Sequence, residues 1–156
     1  MSGTVILDSR PLGLITQRPG KSPEVDACRQ WYEDLNGNGW TIYLPEITDY
    51  EVRRELMRAK KADGLRRLDL VSATAIYLPI TTYAMRIAAD LWAQARQGGW
   101  ATADMHALDG DVILAAQALV LTPVPSGLVV ATSNVAHLSR YLPAREWTAI
   151  TRHLLS

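Results

Sequence analysis

Two periodicities alternate along this chain. Short, wholly apolar runs bounded by turn residues are separated by longer stretches in which apolar side chains recur at helical spacing. "TVILD" (4–8) reads as a first buried strand that runs out into a turn at Pro11 and Gly13. "SPEVDACRQWYEDL" (22–35) is a helix with Ser22 as its cap, Pro23 in the first turn and "NGNG" as the stop. "WTIYLP" (40–45) predicts a second strand, "TDYEVRRELMRAKK" (48–61) a helix capped by Thr48, and "DGLRRLDLVSAT" (63–74) another helix. A third strand follows in "AIYLPI" (75–80). Thr81 or Thr82 then caps a long helix that ends at Gly98 and Gly99, and residues 99–108 form a loop. "LVVAT" (128–132) is a fourth strand, "NVAHLSRY" a short helical turn, and "REWTAI" an added edge strand. Strands alternating with helices predict an α/β fold around a mainly parallel sheet. No repeat, low-complexity tract or linker interrupts the pattern, so residues 1–156 are expected to form a single domain.

The segment "ALDGDVILAAQALVL" (107–121) departs from this pattern, being apolar on every face except at Gln117. Such a helix is a buried one. Asp109 and Asp111 stand at its mouth. Asp109 is accounted for as the N-cap, its carboxylate accepting free backbone N–H groups. Asp111, in the first turn, is tolerated there but needs no such role.

Composition removes several classes of function. Acidic and basic residues balance at 16 each, so any polyanion must be met by a local patch. Cys28 is the only cysteine, which excludes an internal disulfide and a thiolate zinc site. The opening "MSGTVILDSRPLG" has neither the basic start nor the long apolar core of a signal peptide, and no segment is suited to span a bilayer. A cytoplasmic location, without membrane association, is the expectation.

In a doubly wound sheet, ligand chemistry gathers at the carboxyl ends of the strands. Asp8 ends the first strand, while Thr132, Ser133 and Asn134 follow the fourth. Glu51 lies about a turn into the helix after the second strand, and Asp111 opens the helix leading to the fourth. Each has an ordinary explanation when taken alone: a strand-end turn for Asp8, a solvated ion pair for Glu51, a helix cap for Asn134. Their joint placement carries the weight. Carboxylates packed into one crevice repel unless protonated or offset by a cation. An all-oxygen donor set suits a hard ion, Mg2+ or Mn2+, and such an ion suits phosphodiester hydrolysis.

The segments "VILDS", "LPEITDYEVRREL", "LDGDVILAAQAL" and "VVATSNVAHLSRY" together resemble the PIN-domain family, of the kind found as ribonuclease toxins in VapBC toxin–antitoxin pairs. The resemblance spans nearly the whole chain and implies a PIN-like three-layer α/β/α fold with a mainly parallel central sheet. It implies an endoribonuclease with catalytic residues Asp8, Glu51, Asp111 and Asn134. The first three match the family's principal acidic residues and would bind Mg2+ or Mn2+, whereas Asn134 falls where many members carry a fourth Asp. Thr132 matches a hydroxyl residue near the metal. Arg10 replaces a small or amide residue and would either reach a substrate phosphate or crowd the site. His137 stands where an Asp is common. A homodimer and a cognate antitoxin that blocks the acidic pocket are likewise implied by resemblance alone.

On the substrate side, "EVRRELMRAKKADGLRR" holds seven basic and three acidic residues. A charge run of this kind is ordinarily a solvated face. Beside an acidic pocket it would attract an RNA backbone, with Arg53, Arg54, Arg58, Lys60 and Lys61 as the candidate contacts and Thr132, Ser133 and Arg10 nearer the scissile group. Trp40, Trp92, Trp100 and Trp147 are assigned no RNA role. The alternative to an enzyme is a PIN-like binding or regulatory module with a weakened pocket, which Arg10 and Asn134 motivate. A haloacid-type phosphatase would need a D-x-D pair after the first strand, and "DSR" does not supply it. A receiver domain would need an acidic pair before the accepting Asp and a Lys on a late strand, and neither stands out.

Overall fold

The computed structural model describes residues 3–99 and 105–151. Trp100 and residues 101–104 of the predicted loop lie outside the described residues. In chain order the elements are β1 (Thr4–Leu7), α1 (Ser9–Ile15), α2 (Pro23–Gly37), β2 (Thr41–Pro45), α3 (Glu46–Arg58), α4 (Ala62–Thr74) and β3 (Ile76–Leu78). They continue with α5 (Thr82–Gln97), α6 (Met105–Leu119), β4 (Leu128–Ala131), α7 (Val135–Leu138) and β5 (Ala144–Arg145), closed by a 3-10 turn at Trp147–Ala149. The five strands form one parallel sheet in the order β3-β2-β1-β4-β5.

Helices cover both faces of that sheet, and the alternation within β1 shows how. Val5 and Leu7 pack into a core with α1–α4, whereas Ile6 faces the opposite way, against Leu114, Ala115 and Ala118 of α6. All four β1 residues are buried, as expected of a central parallel strand read from a continuous apolar run. Burying a side chain such as Ile6 stabilises the fold by about 1.5–3 kcal/mol. The result is the expected three-layer α/β/α arrangement. α5 stands outside it, lying along α6 through Ala84, Ala88 and Ala95 and leaving Met85 exposed. Among the described residues no helix is long and apolar enough to cross a membrane.

Several boundaries differ from the sequence reading. The turn expected after the first strand is a helix, α1, because Asp8 caps it. Helix α3 starts at Glu46, directly after Pro45, and Thr48 does not cap it. Thr48 is buried inside the helix and donates its hydroxyl to the Leu7 carbonyl at 2.9 Å, tying α3 to the end of β1. The predicted edge strand "REWTAI" contributes only Arg145 to β5, after which the chain turns so that Trp147 packs on Trp31, with ring centroids 5.8 Å apart. Trp40 is likewise core.

The largest correction concerns α6. It begins at Met105, inside the expected loop, so Asp109 is not its N-cap: Asp109 is exposed one turn inside the helix, and Asp111 lies further in. The one polar residue of its apolar run, Gln117, is buried and satisfied at both ends. Its carbonyl oxygen accepts from the Ile47 N–H at 3.2 Å, and its amide donates to the Leu78 carbonyl at 2.7 Å.

Candidate active site

The strand order changes direction at β1, which has β2 on one side and β4 on the other. A crevice opens at such a switch point, beyond the carboxyl ends of the two strands. The pairing of Leu7 with Ala131 brings the next residues, Asp8 and Thr132, side by side at its floor.

Asp8 serves two donors. One carboxylate oxygen accepts the Ser9 N–H at 2.7 Å, capping α1, and the other accepts the Thr132 hydroxyl at 2.7 Å. Thr132 in turn accepts the Asn134 N–H at 2.8 Å, which fixes its hydroxyl as a donor toward Asp8. The Asn134 side chain does not cap α7. It reaches across to donate its amide to Asp111 Oδ2 at 2.6 Å, and His137 Nδ1 lies 3.6 Å from the same oxygen.

Glu51 approaches from α3 and accepts the Ser9 hydroxyl at 3.0 Å. Its other oxygen packs against Gly110 of α6, only 3.0 Å from where a Cβ would stand. Gly110 thus lets the carboxylates of Glu51 and Asp111 share one rim. Asp8, Glu51, Asp111, Asn134 and Thr132, from four separate parts of the chain, form one hydrogen-bonded constellation.

The charge of this rim is not balanced. Burial pushes the Asp111 carboxyl up to about 7, with the charges of Asp8 and Glu51 adding to the effect. Asp8 and Glu51 are raised as well, chiefly by burial, against the hydrogen bonds of Thr132 and Ser9 to Asp8 and of Ser9 to Glu51. Hard oxygen donors with surplus negative charge match a divalent ion such as Mg2+ or Mn2+ in chemistry. As the side chains lie, however, no three His, Cys, Asp or Glu groups among the described residues form a ready metal cage. The carboxylates are turned toward Ser9, Thr132 and Asn134.

Of the other predicted contacts, Arg54 acts on the rim, its charge opposing the rise of the Glu51 carboxyl, while the rest are not drawn to it. Arg10 is exposed and ion-paired with Glu24. Arg53 binds Asp49 at 3.1 Å and Asp69 at 2.8 Å, and Asp49 also accepts the Tyr77 hydroxyl. Arg54 stacks 4.9 Å over the Tyr50 ring, and Arg58 pairs with Glu55 at 2.8 Å. Ser133 is exposed and joins none of these hydrogen bonds. Sequence reasoning missed Ser9 and Gly110. Ser9 is visible in the "DS" pair, but its link to Glu51 depends on α1 beginning at that residue.

No family model matches the sequence, and no curated protein matches it. Solved structures do. A chain of VapBC2 from Rickettsia felis bound to a DNA fragment of its promoter superposes with a TM-score of 0.68 at 17% identity, covering 92% of this chain and 98% of that one. A chain of VapBC-1 from nontypeable Haemophilus influenzae gives 0.66 at 15% identity, over 93% and 98%. DNA-bound VapBC from Salmonella typhimurium gives 0.58 at 18%, over 94% and 99%. With its parallel sheet, covering helices and near-complete overlap, the chain has a VapC-like PIN fold.

Proposed function

We propose that this protein is a Mg2+- or Mn2+-dependent endoribonuclease, the toxin of a type II toxin–antitoxin pair that acts in the cytoplasm. The observation that carries the reading is the gathering of Asp8, Glu51 and Asp111 at the β1/β4 switch point with Asp111 raised to about 7. Groups with displaced titration concentrate at functional sites. The likeness to chains of VapBC complexes supports the toxin assignment and a cognate antitoxin as partner.

Asp8, Glu51 and Asp111 would hold the ion, with Asn134 assisting. Such an ion supplies positive charge to a scissile phosphate and lowers the pKa of water. The remaining work falls to the chain. Thr132 and the Ser9 N–H orient Asp8, the Ser9 hydroxyl orients Glu51, and the Asn134 amide fixes Asp111. Asn134 donates to Oδ2 of Asp111, so a proton retained near neutral pH sits on Oδ1. Homodimerisation through α5 and α6 belongs to the same proposal.

The test is cleavage of total RNA by the purified protein with Mn2+, with EDTA, and by Asp8→Asn. Asn keeps the capping acceptor, so the variant is expected to melt within about 1 kcal/mol of the wild type in EDTA. Cleavage is expected to vanish with EDTA and to fall at least about a hundredfold in the variant. Undiminished cleavage by Asp8→Asn overturns the assignment.

One observation favours a second reading, a PIN-fold binding or regulatory module: every rim carboxylate already has a protein donor, and Asn134 adds no charge. Under that reading millimolar Mn2+ leaves the melting temperature unchanged, whereas an ion held only by the folded state raises it.

A further inference from the structure

At the far end of α1 from Asp8 lies a cavity of about 520 Å³ whose lining includes Arg18, Lys21, Lys60, Lys61 and Arg67. Among the described residues of the wall Asp63 is the only acidic one, and it is paired with Arg66. None of the five cations forms an ion pair with a described carboxylate. Lys21 contacts the neutral Gln17 at 2.8 Å, and Arg67 donates to the Thr16 carbonyl at 2.9 Å. The cations are crowded enough that Lys61, followed by burial and Arg18, pulls the Lys21 ammonium below its ordinary range.

Two features show that this is more than a solvated basic face. Lys60 has φ +56, the left-handed region, at the residue after the Ala59 C-cap of α3, where glycine would be free of strain. A lysine there costs about 1 kcal/mol and adds a cation to the cavity wall. The cavity also adjoins a groove of about 310 Å³, sharing Thr16, Gln17 and Lys61 with it, and the groove's other end is lined by Ser9 and Glu51 of the acidic rim. The seven residues of α1 separate the two ends by about 10–12 Å, the rise of a few nucleotides. No side chain caps the amino end of α4, which opens onto the same cavity.

We infer that this cavity is a phosphate-binding subsite that holds the backbone of a single RNA strand a few nucleotides from the acidic rim, the strand lying along the groove between α1 and α3. The identification of the strand as RNA rests on the nuclease reading, while the anion site rests on the cations themselves. It keeps Lys60 and Lys61 from the contacts expected on the sequence but sets aside Arg53 and Arg58, which neighbouring carboxylates neutralise, and adds Arg18, Lys21 and Arg67.

The experiment is equilibrium binding of a fluorescent twelve-nucleotide oligouridine to the full chain in EDTA, by anisotropy over a salt series. The double variant Lys21→Ala/Lys61→Ala is expected to bind at least about tenfold more weakly at low salt, with the salt slope shallower by about 1.4 for two lost single-strand contacts. Lys60→Gly is expected to raise the melting temperature while weakening RNA binding, a pairing that a purely structural lysine does not produce. Unchanged affinity and slope in the double variant overturn the subsite. So does a hexaglutamate peptide that binds as tightly as the RNA with the same sensitivity to the double substitution. The two readings fail separately. Binding that depends on the cavity, from a chain that never cuts RNA with Mn2+, refutes the nuclease and leaves the subsite. Cleavage untouched by the double substitution does the reverse.

Discussion

At the amino end of α1, Asp8, Glu51 and Asp111 are gathered behind Ser9, Thr132 and Asn134; at its carboxyl end, Arg18, Lys21, Lys60 and Lys61 stand exposed around a cavity. Both ends carry uncompensated charge of one sign. They differ in depth. Asp111 is 8% exposed, so its repulsion from its neighbours is felt in a low-dielectric setting and appears as a displaced titration. The cations are hydrated, and their mutual repulsion costs the fold little. The same kind of imbalance therefore couples strongly to stability at one end of the helix and only weakly at the other.

Asp111→Asn should separate the two ends most sharply. A folded-state carboxyl near 7, against an ordinary value near 3.8, keeps its proton where the unfolded chain has lost it. The stability this provides is full below about pH 4 and is lost as pH rises toward 7, by on the order of 3 kcal/mol. In EDTA the wild type is expected to lose stability across that window and the variant to lose much less, so that at pH 8 the variant is the more stable. Its RNA cleavage is expected to fall at least about a hundredfold. Denaturant melts from pH 4 to 8 check the first part, and a variant that parallels the wild type breaks the comparison.

Gly110→Ala probes the same rim with a smaller effect. The added Cβ would meet Glu51 Oε2 at 3.0 Å, the end of a flexible side chain, while alanine improves the helix by up to about 1 kcal/mol. Melting is expected to shift by less than about 1 kcal/mol, while displaced Glu51 lowers cleavage about tenfold. Equal cleavage rates would show that Glu51 need not sit where it does.

Arg10→Ala marks the lower limit. Its pair with Glu24 is half exposed on both sides, and such pairs are worth at most about 0.5 kcal/mol. Neither cleavage nor oligouridine affinity is expected to change. A tenfold loss of either would move Arg10 into the substrate path.

The fold was legible where one residue pattern had one physical outcome. Continuous apolar runs gave the strands, and Ser22 and Thr81 marked helix starts where their side chains do accept first-turn N–H groups. The rim was legible too, because strand ends must converge at a switch point whatever the loops do. The reading failed where one residue type serves two purposes. Asp8 looks like a strand-end residue before a turn although it caps a helix, and Asp109 looks like a cap although the helix starts earlier. Thr48 resembled a cap but satisfies a strand carbonyl. The partners of Arg10 and Arg53 were illegible, since Glu24 and Asp69 reach them only through packing between helices.

Gln117 carries this logic into α6. Its amide closes the Ile47 N–H and the Leu78 carbonyl at once, from a fully apolar setting. Sliding or turning α6 would orphan both peptide groups, each costing about 1–3 kcal/mol. Asp111 stands six residues upstream, about 9 Å along the axis. An uncharged side chain about two turns away thus acts as a locating pin, setting the depth and bearing at which the helix presents Asp111.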